Sequence, residues 1–229
     1  MNFFKQKPRT VAIVALGPSN ASYVNCTAKK KDRQRFDHVW TVNSAINCFK
    51  ADAAFIMDDL QGIASRYPEW ADWLKTIKTP IVTCKRYPDF PTSIALPIED
   101  VIASVKDDFF TTTVAYMIGY AIHIGVLDLY LYGCDFRYPG SSAREPGEDN
   151  VAYLTGIANR SGVRCRIPQE SPLLDANLTQ VTQEQGKMIA KRPLYGYDYN
   201  PGEAKERVQR GTGKGHDPIL AEKSPYTAK

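Results

Sequence analysis

Thr111–Phe136 reads TTTVAYMIGYAIHIGVLDLYLYGCDF, and its two halves carry two different periods. Val114, Met117, Ile118, Ala121, Ile122 and Gly125 recur at three- and four-residue spacing, the mark of a helix with one apolar stripe. Gly125 also suits the stop of that helix, because glycine accepts the left-handed conformation that ends many helices. Leu127–Tyr132 follows as a short segment ended by Gly133-Cys134-Asp135-Phe136, and reads as a buried strand. A helix feeding straight into a buried strand is the second half of a βαβ unit.

The same alternation continues on both sides. Thr10–Leu16 is an apolar, β-branched run ending in Gly17-Pro18-Ser19-Asn20. Phe36–Val42 reads as a strand closing on Asn43-Ser44, Ala51–Met57 as one closing on Asp58-Asp59, and Pro80–Cys84 as a further short strand. Leu60–Ile77 carries Trp70, Trp73, Leu74 and Ile77 at helical spacing and is interrupted near Pro68. Tyr87–Pro97 holds three prolines and reads as an irregular connection. Residues 147–161 suit a helix, Gly162–Ile167 a late strand, and Ala176–Ala190 a last helix. This order predicts an α/β, Rossmann-like three-layer fold with a mostly parallel sheet. The domain is expected to span residues 1–185, followed by a basic, poorly ordered and flexible C-terminal tail over 186–229.

Charge placement narrows the partners. Residues 186–229 hold nine Lys/Arg against five Asp/Glu, which accounts for the whole net charge of +4. The remainder is formally neutral, so nucleic-acid contact is expected only through the basic tail. No apolar run reaches the roughly 18–20 residues of a membrane span. Cysteines 26, 48, 84, 134 and 165 are odd in number, scattered and without a CxxC pair, which points to reduced thiols and a cytoplasmic location. His38 and His123 fall on apolar patterns and read as core residues, while the Gly211–Gly215 stretch reads as a hinge.

In open parallel sheets ligands lie outside the carboxyl ends of the strands, near a reversal of strand order. Gly17, Pro18 and Ser19 would let backbone approach a phosphate or ribose, or simply make a tight turn. Asn43 suits a base or sugar contact, or an Asx turn. Asp58 and Asp59 suit Mg²⁺ on a diphosphate, or one of them caps the helix at Leu60. Thr111-Thr112-Thr113 opens a helix and can cap it or bind an anion. Asp135 can hold a ribose, act as a base, or pair with Arg137.

Val11–Asn20 (VAIVALGPSN) resembles the G-x-G-P-S opening of bacterial sialyltransferases of the Campylobacter type. It also resembles the related motility-accessory family, which includes archaeal 6-hydroxymethylpterin pyrophosphokinases. Thr112–Phe136, with the six residues after it, resembles the strand-and-helix block that those enzymes share. The resemblance implies a nucleotide pocket in which Gly17, Pro18 and Ser19 lie at the phosphate and ribose. Asn43 and Thr113 would take nucleotide-site positions, and Gly133, Asp135 and Phe136 would line the ribose and base. Ala15 stands where that family has its first glycine, and residues 137–175 contain no histidine to match the family's lid base.

Three functions follow as expectations. The first is a nucleotide-dependent transferase, a glycosyltransferase taking a nucleotide sugar and an acceptor the sequence does not name, with Asp135 or Asp58 as catalytic carboxylate. The second is a Mg²⁺-dependent pyrophosphokinase-like enzyme working through Asp58 and Asp59. The third is a nucleotide-binding or interaction module without catalysis.

Overall fold

The computed structural model describes residues 7–28, 35–137, 145–174, 180–184 and 187–191. Its contacts divide the chain into two units, one of residues 1–137 with 144–177, the other of 138–143 with 178–229.

The first unit is built on strands β1 (Thr10–Val14), β2 (His38–Val42), β3 (Ala53–Phe55), β4 (Ile81–Thr83), β5 (Ser93–Ala95), β6 (Asp128–Tyr132) and β7 (Arg164–Arg166). They form one all-parallel sheet in the order β5-β4-β3-β2-β1-β6-β7. The chain therefore winds outward from β1 to one edge, then returns to the other side of β1 with β6. Strand order reverses between β1 and β6.

Both faces of the central strands are buried, which explains why their sequences run apolar without alternation. Val11, Ile13, Leu129 and Leu131 face helices α4 (Ile98–Val105), α5 (Thr113–Ile124) and α6 (Glu148–Arg160). Ala12, Val14 and Tyr132 face the other way, with Tyr23 of α1 (Asn20–Thr27) packed against them. Further along that second face, Ala54, Ile56 and Ile81 pack on α2 (Leu60–Arg66) and α3 (Pro68–Thr76). Trp40, Phe55 and Tyr120 sit with ring centroids 5.2–6.1 Å apart and anchor α5 on β2 and β3. Among the described residues no helix is long and apolar enough to cross a membrane.

The expected helix break falls at Tyr67-Pro68, with proline at the first position of α3, where its missing N–H costs nothing. Four departures from the sequence reading stand out. The proline-rich connection contains β5, whose three residues pair in register with Ile81–Thr83. Helices α1 and α4 were not expected. Ala176–Ala190 does not form one helix: β8 (Gln180–Glu184) and β9 (Lys187–Lys191), in the second unit, pair as an antiparallel hairpin. Val181, Thr182 and Ile189 are β-branched and flank Gln185-Gly186, which favours strand over helix there. The tail beyond residue 191 lies outside the described residues.

Candidate functional site

Because every strand of the sheet is parallel, Gly17, Asn43, Asp58 and Gly133 all follow carboxyl ends on one edge. The edge is most elaborate at the β1–β6 reversal. Ala15 N–H donates to the Tyr132 carbonyl at 2.8 Å and Gly17 N–H to the Gly133 carbonyl at 2.9 Å, so the ladder continues past both strands. Gly17 has no room for a side chain, since a Cβ there would lie 2.5 Å from the Gly133 carbonyl and 2.6 Å from Asp135 Oδ2. Gly133 adopts φ +67°, and its Cβ would meet the Ala15 carbonyl at 2.3 Å. These two glycines let the two loops cross in contact.

Asp135 is the centre of this crossing and is only 2% exposed. Its Oδ2 accepts the Ser19 N–H at 2.7 Å, and its Oδ1 accepts the hydroxyls of Ser19 at 2.5 Å and Ser171 at 2.6 Å. Ser19 Oγ in turn accepts the Gly133 N–H at 2.9 Å. The carboxylate thus stands at the head of α1, the position where a helix N-terminus attracts an anion. The neighbouring donors are engaged too: the N–H groups of Asn20, Ala21 and Ser22 bond the carbonyls of Gly17, Pro18 and Ser19. The β1–α1 turn is therefore closed by the protein's own carboxylate, and Pro18 lies exposed on its outer side. Asp135 does not pair with Arg137. The Nε of Arg137 is buried and has no hydrogen-bond partner among the described residues.

On either side of this floor the backbone is strained. Asn43 holds φ +48° and Phe136 φ +49°, left-handed values that cost non-glycine residues energy. Asn43 Oδ1 accepts the Thr113 hydroxyl at 3.3 Å, joining the end of β2 to the first turn of α5. Within that first turn Thr112 is the cap, accepting the Ala115 N–H at 3.2 Å. Phe136 is fastened by its carbonyl, which accepts the Glu145 N–H at 2.9 Å.

Asp58 and Asp59 separate. Asp59 is the N-cap of α2: Oδ2 accepts the Gly62 N–H at 3.1 Å and Oδ1 the Tyr87 hydroxyl at 2.9 Å. The tyrosine bond, with the Gly62 and Gln61 N–H groups, holds its carboxyl below the usual carboxylate range. Both oxygens being engaged, Asp59 fits a metal poorly, while Asp58 is exposed at the same strand end. No group of three or more His, Cys, Asp or Glu side chains is placed to hold a metal ion among the described residues. Mg²⁺ on a diphosphate takes only one or two carboxylates and keeps its waters, so of this pair only Asp58 is open to such an ion. Cys134 is buried 3% exposed, and burial followed by the Asp135 charge pushes its thiol far above the ordinary value. It is an inert core thiol.

Three positioning residues carried no signal in the sequence reading. Ser171 reaches Asp135 across 36 residues of chain. Asn150 accepts the Thr111 N–H at 2.9 Å and donates to the Phe109 carbonyl, setting the approach to α5. Gly147, at φ +100°, passes so close to Thr112 that a Cβ would lie 2.1 Å from its methyl carbon.

Fold and edge together define a doubly wound α/β protein whose strand order reverses between β1 and β6, the place where ligands lie in folds of this class. No family model matches the chain, and no curated protein matches it in sequence. Among solved structures it is similar to the sialyltransferase CstII from Campylobacter jejuni in complex with the substrate analogue CMP-3FNeuAc. Identity is 17%, the TM-score is 0.48, and the match covers 88% of this chain and 99% of that one. A second structure of that enzyme, with cytidine-5'-monophosphate, matches at 17% identity and TM-score 0.47, over 89% of this chain and 98% of that one. At this identity the likeness assigns no role to any residue.

Proposed function

We propose that this chain is a nucleotide-dependent transferase, a glycosyltransferase that takes a nucleotide sugar at the β1–β6 edge. One observation carries the reading: two strained non-glycine residues, Asn43 and Phe136, flank the end of β1 where strand order reverses. Strain of this kind persists where the surrounding structure holds it for use. The sequence resemblance at Val11–Asn20 and Thr112–Phe136 supports the same pocket. Gly17, Ser19, Gly133 and Asp135 then form its rigid floor, with Asp135 acting by position. Asn43, Thr113 and Phe136 offer the amide, hydroxyl and aromatic surface that recognise a base or ribose. Asp58, three strands from β6, is the carboxylate open to an acceptor hydroxyl or to Mg²⁺.

The test is calorimetric titration of the full chain with CMP, CDP, UDP, GDP and ATP, each with and without Mg²⁺. Binding of a cytidine or uridine nucleotide, weakened about tenfold or more by Asn43→Ala, is the expected result. Binding confined to ATP with Mg²⁺, and abolished by Asp58→Asn, would assign the pyrophosphate-transfer chemistry instead. Binding with no turnover of any nucleotide sugar would assign a non-catalytic module, and no binding at all would refute the pocket.

A further inference from the structure

We propose that Arg137 is an oxyanion-binding residue whose ligand is a phosphate of the bound nucleotide, an inference that rests on the nucleotide reading above. Arg137 extends the chain from β6 past Asp135 at the carboxyl edge of the sheet. Its guanidinium is always charged and carries donors only. The nearest carboxylate in sequence, Asp135, accepts from Ser19 and Ser171 and not from Arg137. The Arg137 Nε is buried without an acceptor among the described residues, although the side chain as a whole is half-buried.

A buried N–H of a charged group left unpaired is costly, and native structures rarely keep one without use. Nε and its neighbouring Nη form the edge of the guanidinium that grips an oxyanion through two parallel hydrogen bonds. The competing anion site has been taken, because the Asp135 carboxylate stands at the head of α1 and the first-turn N–H groups bond within the turn. A phosphate at this edge must therefore be met by a side chain. Arg137 follows β6, the strand beside the reversal, and the strained Phe136 before it is pinned through its carbonyl to Glu145.

The experiment titrates the full chain and its Arg137→Gln and Arg137→Lys variants with CDP, UDP, the nucleosides cytidine and uridine, and pyrophosphate alone. Arg137→Gln is expected to weaken nucleotide binding about ten- to hundredfold and nucleoside binding less than twofold. Arg137→Lys is expected to recover part of the loss, as a point charge without the fork. The melting temperature of unliganded Arg137→Gln should equal or exceed that of the parent, since Nε makes no bond to lose among the described residues. Nucleotide and pyrophosphate affinities within twofold of the parent would overturn the proposal while leaving the nucleotide reading intact. If the parent binds pyrophosphate but no nucleotide, and Arg137→Gln loses it, the oxyanion site stands and the nucleotide reading falls. If the parent binds neither, or binds pyrophosphate alone and Arg137→Gln retains it, both fall.

Discussion

Asp135→Ala removes the acceptor from three hydrogen bonds at once, and the structure sets what each loss means. The Ser19 N–H, 2.7 Å from Oδ2, cannot turn elsewhere and is left buried without a partner. That loss alone costs about 1–3 kcal/mol. The Ser19 and Ser171 hydroxyls can rotate, and Ser19 Oγ keeps the Gly133 N–H at 2.9 Å. Their combined loss adds roughly 1–2 kcal/mol, giving about 3 kcal/mol in total. For a folded unit of this size that corresponds to a fall of about 6–12 °C in melting temperature. Ser171→Ala, which removes one of the three bonds, should cost about 1 kcal/mol. Asp135→Asn, the same shape with one acceptor kept, should fall between. Differential scanning calorimetry of the three variants without ligand measures this order. A melting temperature within about 1 °C of the parent for Asp135→Ala, with nucleotide binding abolished, would refute the argument. It would mean that the carboxylate faces the ligand and does not join β1 to β6.

Gly17→Ala places a Cβ 2.5 Å from a backbone carbonyl and 2.6 Å from a carboxylate held on three sides. It should destabilise by about 1–3 kcal/mol in urea unfolding. Gly125 and Gly133 share φ +67°, yet Gly125→Ala meets only the movable Lys7 ammonium where Gly133→Ala meets the Ala15 carbonyl. Alanine at 125 should therefore cost about 1 kcal/mol and alanine at 133 clearly more. Thr112→Ala, by removing the α5 cap, should cost about 1 kcal/mol by the same measurement. Asp37 accepts the N–H groups of Arg9 and Thr10 at 2.8 and 2.9 Å. Burial alone would raise its pKa, but the Thr10 and Arg9 bonds outweigh it and the value is lowered. A lowered carboxylate stabilises above the unfolded value, near pH 4, and loses its effect as pH falls through the folded value. The gap in melting temperature between the parent and Asp37→Asn should hold steady from pH 7 to 5 and close below about pH 4. A gap that widens on acidification would reverse the assignment.

The central strands were legible because burial on both faces leaves a continuous apolar run, as in Val11–Val14, that nothing else in a short segment explains. Helix α5 was legible from its stripe and its glycine stop. Strand β5 was not, because Ser93-Ile94-Ala95 is too short to show a period and stands between Pro91 and Pro97. Helix α1 was hidden differently: Asn20–Thr27 buries only Thr27 and shows no apolar stripe. The carboxyl edge could be read, since in a parallel sheet all carboxyl ends point one way. The partners along that edge could not. Ser19 and Ser171 meet Asp135 across 116 and 36 residues, and a neighbour in sequence, Arg137, is the natural but mistaken guess. Adjacent carboxylates likewise look equivalent on paper, whereas the start of α2 takes Asp59 as its cap and leaves Asp58 outside.

The place of β1 in the strand order bears on how the chain is made. One side of β1 is covered by β2, the next strand synthesised, but the other waits for β6, which begins at Asp128. At typical rates of synthesis that interval lasts on the order of ten seconds. Through it Val11–Val14 offers a bare edge, apolar on both faces, to any other extended segment. A nascent chain of this protein is therefore at its most adhesive before β6 emerges from the ribosome, and a fragment ending ahead of Asp128 would keep that edge for good.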